Sequence, residues 1–219
     1  CSDHNHPDAS GVGPSISNNH NRVRLSTALG YLSQCRHRLN LTIRPNCLVH
    51  RILLHRNQAV GVEVNSGGEM FTVTGEHVIL SAGAVGSPHL LMRSGVGPGE
   101  QLRGLGIPVV QDMPGVGQNL RDHPKVYITW DLKDGYPTEE RPARNGAVLR
   151  FTAPGSEWRN DVSINMGAFV TERLPWSDIQ ELVQGGNRSA RRRLEMMVAL
   201  LFPVGSGELR LTSRDPYIQ

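Results

Sequence analysis

The run Ala82-Gly83-Ala84-Val85-Gly86-Ser87-Pro88 holds the spacing in this chain best suited to chemistry. Small residues at Ala82, Gly83, Ala84 and Gly86 let a ligand come close to the backbone. A helix opening at Ser87-Pro88 would place unpaired amides and a positive dipole end beside them. A phosphate-bearing or electron-rich ligand suits such a turn. A tight strand-to-helix crossover, with its glycines there for packing alone, reads the same residues equally well.

Other candidates are weaker. Gly11-Val12-Gly13, Gly95-Val96-Gly97 and Gly115-Val116-Gly117 invite a nucleotide reading. The first lies in a polar segment and the second follows a helix. The third follows a proline and runs into Asn119. None has the strand–GxGxxG–helix setting of a dinucleotide fingerprint, so all three read as turn glycines. His123, after Asp122, has no His or Glu partner at helical spacing and reads as a structural histidine at a domain junction. His4, His6 and His20 lie in a polar leader and read as solvated. No GxSxG elbow or HExxH pair occurs. Cys1, Cys35 and Cys47 lie far apart without a CxxC pair, which argues against a disulfide framework or a zinc site. The basic residues Arg188, Arg191, Arg192 and Arg193 read as the exposed side of a helix, because no aromatic residues interleave with them.

The elements that position the small-residue turn follow from periodicity. Residues 1–24 are polar and read as a surface loop. Leu25, Ala28, Leu29 and Leu32 fit an amphipathic helix to about Arg38. A short strand is expected at Leu41–Arg44. Cys47–His55, Ala59–Asn65 and Met70–Thr74 form an antiparallel meander. Val78-Ile79-Leu80 lacks alternation, which predicts a strand at His77–Ala82 buried on both faces. Ser87-Pro88 then opens a helix to about Arg93, and Gly95 stops it. A short helix is expected at Glu100–Leu105 and an extended segment at Ile107–Gln111. Beyond Pro124, strands are expected at Lys125–Leu132, Ala147–Thr152, Asp161–Phe169 and Glu208–Thr212, and helices at Asp178–Gln184 and Ser189–Leu201.

The 219 residues suffice for one domain or parts of two. A hydrophobic fraction of 38% is far from disorder, and 24 glycines with 14 prolines point to many turns in a mixed α/β protein. A net charge of +3 gives no basic face for nucleic acid. No run of eighteen apolar residues is present, so no membrane span is expected. The opening Cys1-Ser2-Asp3 and closing Tyr217-Ile218-Gln219 read as cuts in a longer chain, so the compartment and the oligomeric state stay open.

Two stretches carry a resemblance. GAVGSPHLLMRSGVG (Gly83–Gly97) resembles the second sequence signature of the glucose–methanol–choline (GMC) oxidoreductase family. Ala84, Ser87-Pro88, Leu90-Leu91 and Ser94-Gly95-Val96-Gly97 fill its slots. LRGLGIPVVQDMPGVGQNLRDHP (Leu102–Pro124) is similar to the family's continuation, with Met113 where Leu is usual. Upstream, RLSTALGYL, NLTI and VHRILL followed by AVGVEV match in order, and GELRLTSRDP is similar to a late strand of the substrate domain.

The resemblance implies an FAD enzyme of α/β (α+β) class. Part of a Rossmann-like FAD-binding domain with an antiparallel meander is expected at 25–112, after a lead-in over 1–24. Part of an antiparallel-sheet substrate domain is expected at 113–219. By motif match, Val49 falls where the family's backbone touches adenine, and Ala82 and Gly83 fall on the strand end lining the cofactor. The implied reaction is oxidation of a CH–OH group, with choline- or alcohol-dehydrogenase wording the most similar, by hydride transfer to flavin. The family's GxGxxG and its catalytic histidine fall outside residues 1–219. No catalytic residue is therefore assigned, and the isolated chain is expected to be inactive. A cyanohydrin-cleaving lyase on the same fold and a non-catalytic remnant acting as an interaction module are the alternatives.

Overall fold

The computed structural model describes residues 2–21, 23–133, 135–136, 146–171 and 192–218. In chain order the strands begin with β1 (Gly11–Pro14), β2 (Asn19–His20) and β3 (Val23–Arg24). A π-helical turn at Ala28–Leu32 runs into α1 (Ser33–Cys35). Then come β4 (Leu48–His55), β5 (Gln58–Ser66), β6 (Glu69–Thr74), α2 (Gly83–Arg93), β7 (Val96–Gly97) and α3 (Gly99–Gly104). The rest are β8 (Gln111–Asp112), β9 (Gln118–Leu120), β10 (Lys125–Asp131), β11 (Ala147–Phe151), β12 (Val162–Thr171), β13 (Arg192–Leu200) and β14 (Gly207–Glu208). Mixed sheets and few helices make the chain an α/β protein.

The chain divides into two compact units. The first comprises Cys1–His37 and Asp122–Pro203. Its frame is an antiparallel sheet in the order β1-β11-β12-β13-β10. Val148 and Ala199 are buried within this unit, and so are the polar Asn160, Asp161 and Ser163. Asp161 accepts the Ala153 N–H at 2.8 Å. Hydrogen bonds to its carboxylate hold its pKa below the ordinary value, that from the Ala153 N–H first.

The second unit comprises Arg38–Arg121 and Val204–Gln219. Its strands β4, β5 and β6 form the expected antiparallel meander. Arg56, at φ 55, makes the first turn. The helix α2 packs on β4. Met92, Leu102, Ile107 and Leu211 make the buried core, with Leu105, Val109 and Val116 packed against it. Gly95, at φ 85, ends α2 and leads into β7, which pairs in parallel with β8. Gly95 is a glycine for a second reason: a Cβ there would lie 2.5 Å from the Pro108 carbonyl oxygen.

Several elements differ from the sequence reading. The segment Ser189–Leu201, expected as a helix, contains the strand β13 from Arg192. Its run Met196–Leu200 is apolar on consecutive residues, which periodicity alone does not assign; pairing with β10 on one side and β12 on the other decides it. The strand expected at His77–Ala82 does not form a ladder. Among the described residues no strand pairs with it, and Ile79 is 89% exposed. Leu41–Arg44 is irregular, and the final strand is only β14. The leader is not all loop, because β1 pairs along β11. The helix expected from Leu25 is shorter and starts as a π turn at Ala28. The helix α2 starts at Gly83, four residues before Ser87. The expected helix at Asp178–Gln184, and the residues Arg188 and Arg191, lie outside the described residues.

Candidate functional site

The small-residue turn is the amino end of α2. Ala82 is its N-cap, at φ −84 and ψ 10, with no side chain hydrogen-bonded to the helix amides. A methyl side chain cannot cap, so the first amides stay available to an outside acceptor. Gly83 adopts φ 83, a conformation side chains resist, and nothing lies within 4 Å of where its Cβ would be. Ala82, Gly83, Ala84 and Val85 are all exposed. Ser87 is therefore not the cap, and Pro88 sits inside the helix. There its ring removes the N–H that would have met the Ala84 carbonyl, leaving that oxygen without its helical donor.

A cavity of about 400 Å³ lies on this side of α2. Ala84 and Pro88 line it from the helix, and Gly117, Asn119, Arg121 and Leu209 from the facing segment. Gly117, at φ 87, hydrogen-bonds through its carbonyl to the Leu209 N–H at 2.7 Å. A Cβ on Gly117 would lie 2.5 Å from the Leu209 carbonyl oxygen. Asn119 takes φ 60, which Asn tolerates better than most residues. Gln118 donates to Glu208 at 3.1 Å, and Arg210 pairs with the same carboxylate at 2.6 Å. These contacts, the Gln118 bond first, hold the Glu208 pKa below its ordinary value.

Val49 lies on the same unit but in a different element, the edge strand β4. It is half-buried opposite the buried Val64. The ladder shifts register between Val49 and Arg51, so His50 is bulged out of the pairing. Val49 and Gly83 thus belong to two elements, β4 and α2, that pack on each other.

The other chemistry-bearing residues sit elsewhere. The glycines Gly11 and Gly13 belong to β1 and pair in its ladder. Gly95 and Gly97 follow the carboxyl end of α2. Of the three glycine motifs only the one ending at Gly117 reaches the cavity. Sequence reasoning took it for a turn, and the signal it passed over is the density of Gly and Asn at 115–119. The His123 N–H bonds to the adjacent Asp122 carboxylate at 2.7 Å, a local turn contact. Among the described residues no cluster of His, Cys, Asp or Glu could hold a metal ion. Cys35 and Cys47 are free and half-buried. His6 and His20 are exposed, but His4 is buried, contrary to expectation, and its carbonyl accepts from Arg150 at 3.0 Å. His89, midway along α2, has an Nε2 shut off from solvent without a partner. Its burial, aided by the Arg93 charge, lowers its pKa from the usual 6.5.

Residues 2–125 match the family model described as GMC oxidoreductase. A GMC-type oxidoreductase from the thcA 5′ region of Rhodococcus erythropolis is 44% identical over 214 residues, covering 98% of this chain and 40% of the relative. The oxygen-dependent choline dehydrogenase of Klebsiella pneumoniae is 37% identical over 213 residues, covering 89% of this chain and 38% of the relative. Among solved structures, pyridoxine 4-oxidase from Mesorbium loti superposes with a TM-score of 0.79 at 27% identity, covering 97% of this chain and 40% of that one. A fungal aryl-alcohol oxidase gives 0.69 at 22% identity, covering 97% of this chain and 46% of that one, a likeness of fold. The chain thus spans about two fifths of the length of these relatives.

Proposed function

This chain belongs to the GMC oxidoreductase family, and from that premise we propose that it supplies part of the FAD cradle of an enzyme oxidising CH–OH groups. The observation that carries the reading is the amino end of α2. Uncapped amides follow Ala82, and Gly83 presents an open backbone at φ 83 where a Cβ would intrude on an approaching ligand. The residues present fit the cofactor chemically, since an electron-rich group meets amide donors and a helix dipole there.

Ala82 and Gly83 line the cofactor, and the backbone at Val49 meets its adenine end. The unit of Arg38–Arg121 and Val204–Gln219 is the cofactor-holding part, contributing the antiparallel meander and α2 to a Rossmann-like FAD-binding domain. The antiparallel sheet of the other unit belongs to the substrate side. When bound, FAD supplies the acceptor for the hydride lost from a carbinol carbon. The residues of this chain hold and orient the cofactor through backbone groups; none acts as the base for the alcohol proton. Small alcohols of the choline type are the favoured substrates, in keeping with the names of the relatives.

The test is spectroscopic. The protein expressed from its own gene and loaded with FAD is mixed anaerobically with choline or an aryl alcohol. Bleaching of the flavin absorbance supports the reading. A flavin that stays oxidised with every alcohol offered, while dithionite still reduces it, contradicts alcohol oxidation.

A further inference from the structure

A second cavity, of about 260 Å³, lies in the same unit at the carboxyl end of α2. Its walls carry His50 and Arg51 of β4, Glu63 of β5, Arg93 of α2, Pro108 and Arg214. Three arginines therefore line a space with a single acidic residue in its wall. That carboxylate is already engaged, with Arg51 bonded to Glu63 at 2.8 Å. Among the described residues Arg93 and Arg214 form no ion pair. Arg93 instead gives its Nε–H to the Arg214 carbonyl at 3.3 Å. The neighbouring Asp215 carboxylate accepts the Tyr217 N–H at 2.9 Å.

Two further features mark the cavity. Burial pulls the Arg93 pKa below its ordinary value, against the opposing pull of Asp215 and Glu63. Neither carboxylate is in an ion pair with this guanidinium. His50 is bulged out of the β4–β5 ladder with its ring edge-on to Tyr217, and its Nε2 is cut off from solvent without a hydrogen-bond partner. The cavity thus brings together an orphaned, buried ring nitrogen, the half-buried Arg93 and the exposed Arg214, neither arginine in an ion pair among the described residues.

We propose that this cavity is a binding site for a small oxyanion, a carboxylate or phosphate group held between Arg93 and Arg214. The planar fork of Arg matches either group, and His50 offers a further polar contact. The volume is below the roughly 300–1,000 Å³ of pockets that enclose drug-sized ligands, so the occupant is a small group. The site is separate from the amino end of α2 and does not depend on flavin binding.

The test is calorimetric titration of the protein with inorganic phosphate and with sodium acetate, sodium chloride holding the ionic strength constant. Arg93→Gln and Arg214→Gln are compared with Lys133→Gln, which removes one exposed positive charge from the other unit. Saturable binding is expected, weakened at least about tenfold in both arginine variants and unchanged in Lys133→Gln. Acetate binding as well as phosphate identifies a carboxylate site, and phosphate alone a phosphate site. If Arg93→Gln does not fold, Arg214→Gln decides alone. Absence of binding, or binding that survives both arginine substitutions and so lies elsewhere (the amino end of α2 included), overturns the proposal. So does equal weakening by Lys133→Gln.

Discussion

The backbone N–H of Ile52 donates to the Ser94 hydroxyl oxygen at 2.8 Å, and that hydroxyl donates in turn to the Leu90 carbonyl at 2.6 Å. Ser94 is 8% exposed and Ile52 also 8%. One buried side chain therefore ties the outer edge of the meander to the last turn of α2. It occupies the outward-facing amide of β4, which an edge strand otherwise leaves unpaired. The same bond joins β4, which carries Val49, to α2, which opens at Gly83.

Ser94→Ala leaves the Ile52 N–H buried without an acceptor. The expected loss is about 1–3 kcal/mol of stability, read from the midpoint and slope of urea unfolding. An unchanged midpoint would show that the hydroxyl contributes nothing to joining β4 and α2.

Much of this unit was legible in the sequence. The meander follows from β-branched runs between short turns, and Gly95 is recognisable as the stop of α2. The unit of β10–β13 was less so, because Leu194–Leu200 has no period and takes its strand form from two neighbours distant in the chain. The start of α2 was missed because Ser-Pro is a strong local cap signal. The helix instead begins at Gly83, whose positive φ suits the turn, and carries Pro88 inside. Ala82 and Gly83 are legible in the small-residue turn itself and Val49 only in family wording, whereas Gly117, Asn119 and the second cavity emerge only when separated segments meet in space.

Gly117→Ala places a Cβ against the Leu209 carbonyl at φ 87, whereas Gly83→Ala meets strain without collision. Both changes carry a positive-φ cost of about 1–3 kcal/mol. Gly117→Ala is expected to cost more, and thermal melts of the two variants side by side should rank them so. The reverse ranking would mean that the Gly117–Leu209 contact yields easily.

Leu102 is fully buried between Met92, Ile107 and Leu211. Truncation to Ala opens a cavity in the only buried cluster of apolar side chains found among the described residues of this unit. The expected loss is about 2–5 kcal/mol by chemical denaturation. A cost below 1 kcal/mol would show a core able to collapse around the gap.

The depressed pKa of His89 makes stability depend on pH in one direction. Below its ordinary pKa of 6.5 the unfolded chain takes up a proton that the folded chain resists. Stability contributed by the neutral ring is therefore whole above that pH, falls as the pH drops below it, and stops falling once the folded ring also protonates. Urea midpoints at pH 7.5 and pH 5.5 should differ more for the parent than for His89→Gln. Equal differences would assign the acid sensitivity to other groups.

The central claim, that the open turn at Gly83 receives FAD, is tested most directly by titrating FAD into the protein and into Gly83→Val while following quenching of flavin fluorescence. Circular dichroism establishes that the variant is folded. The account predicts saturable binding to the parent and at least about tenfold weaker binding to the folded variant, since a branched side chain fills the space the cofactor approaches. Equal affinity in the two proteins, or no binding to the parent, would contradict it.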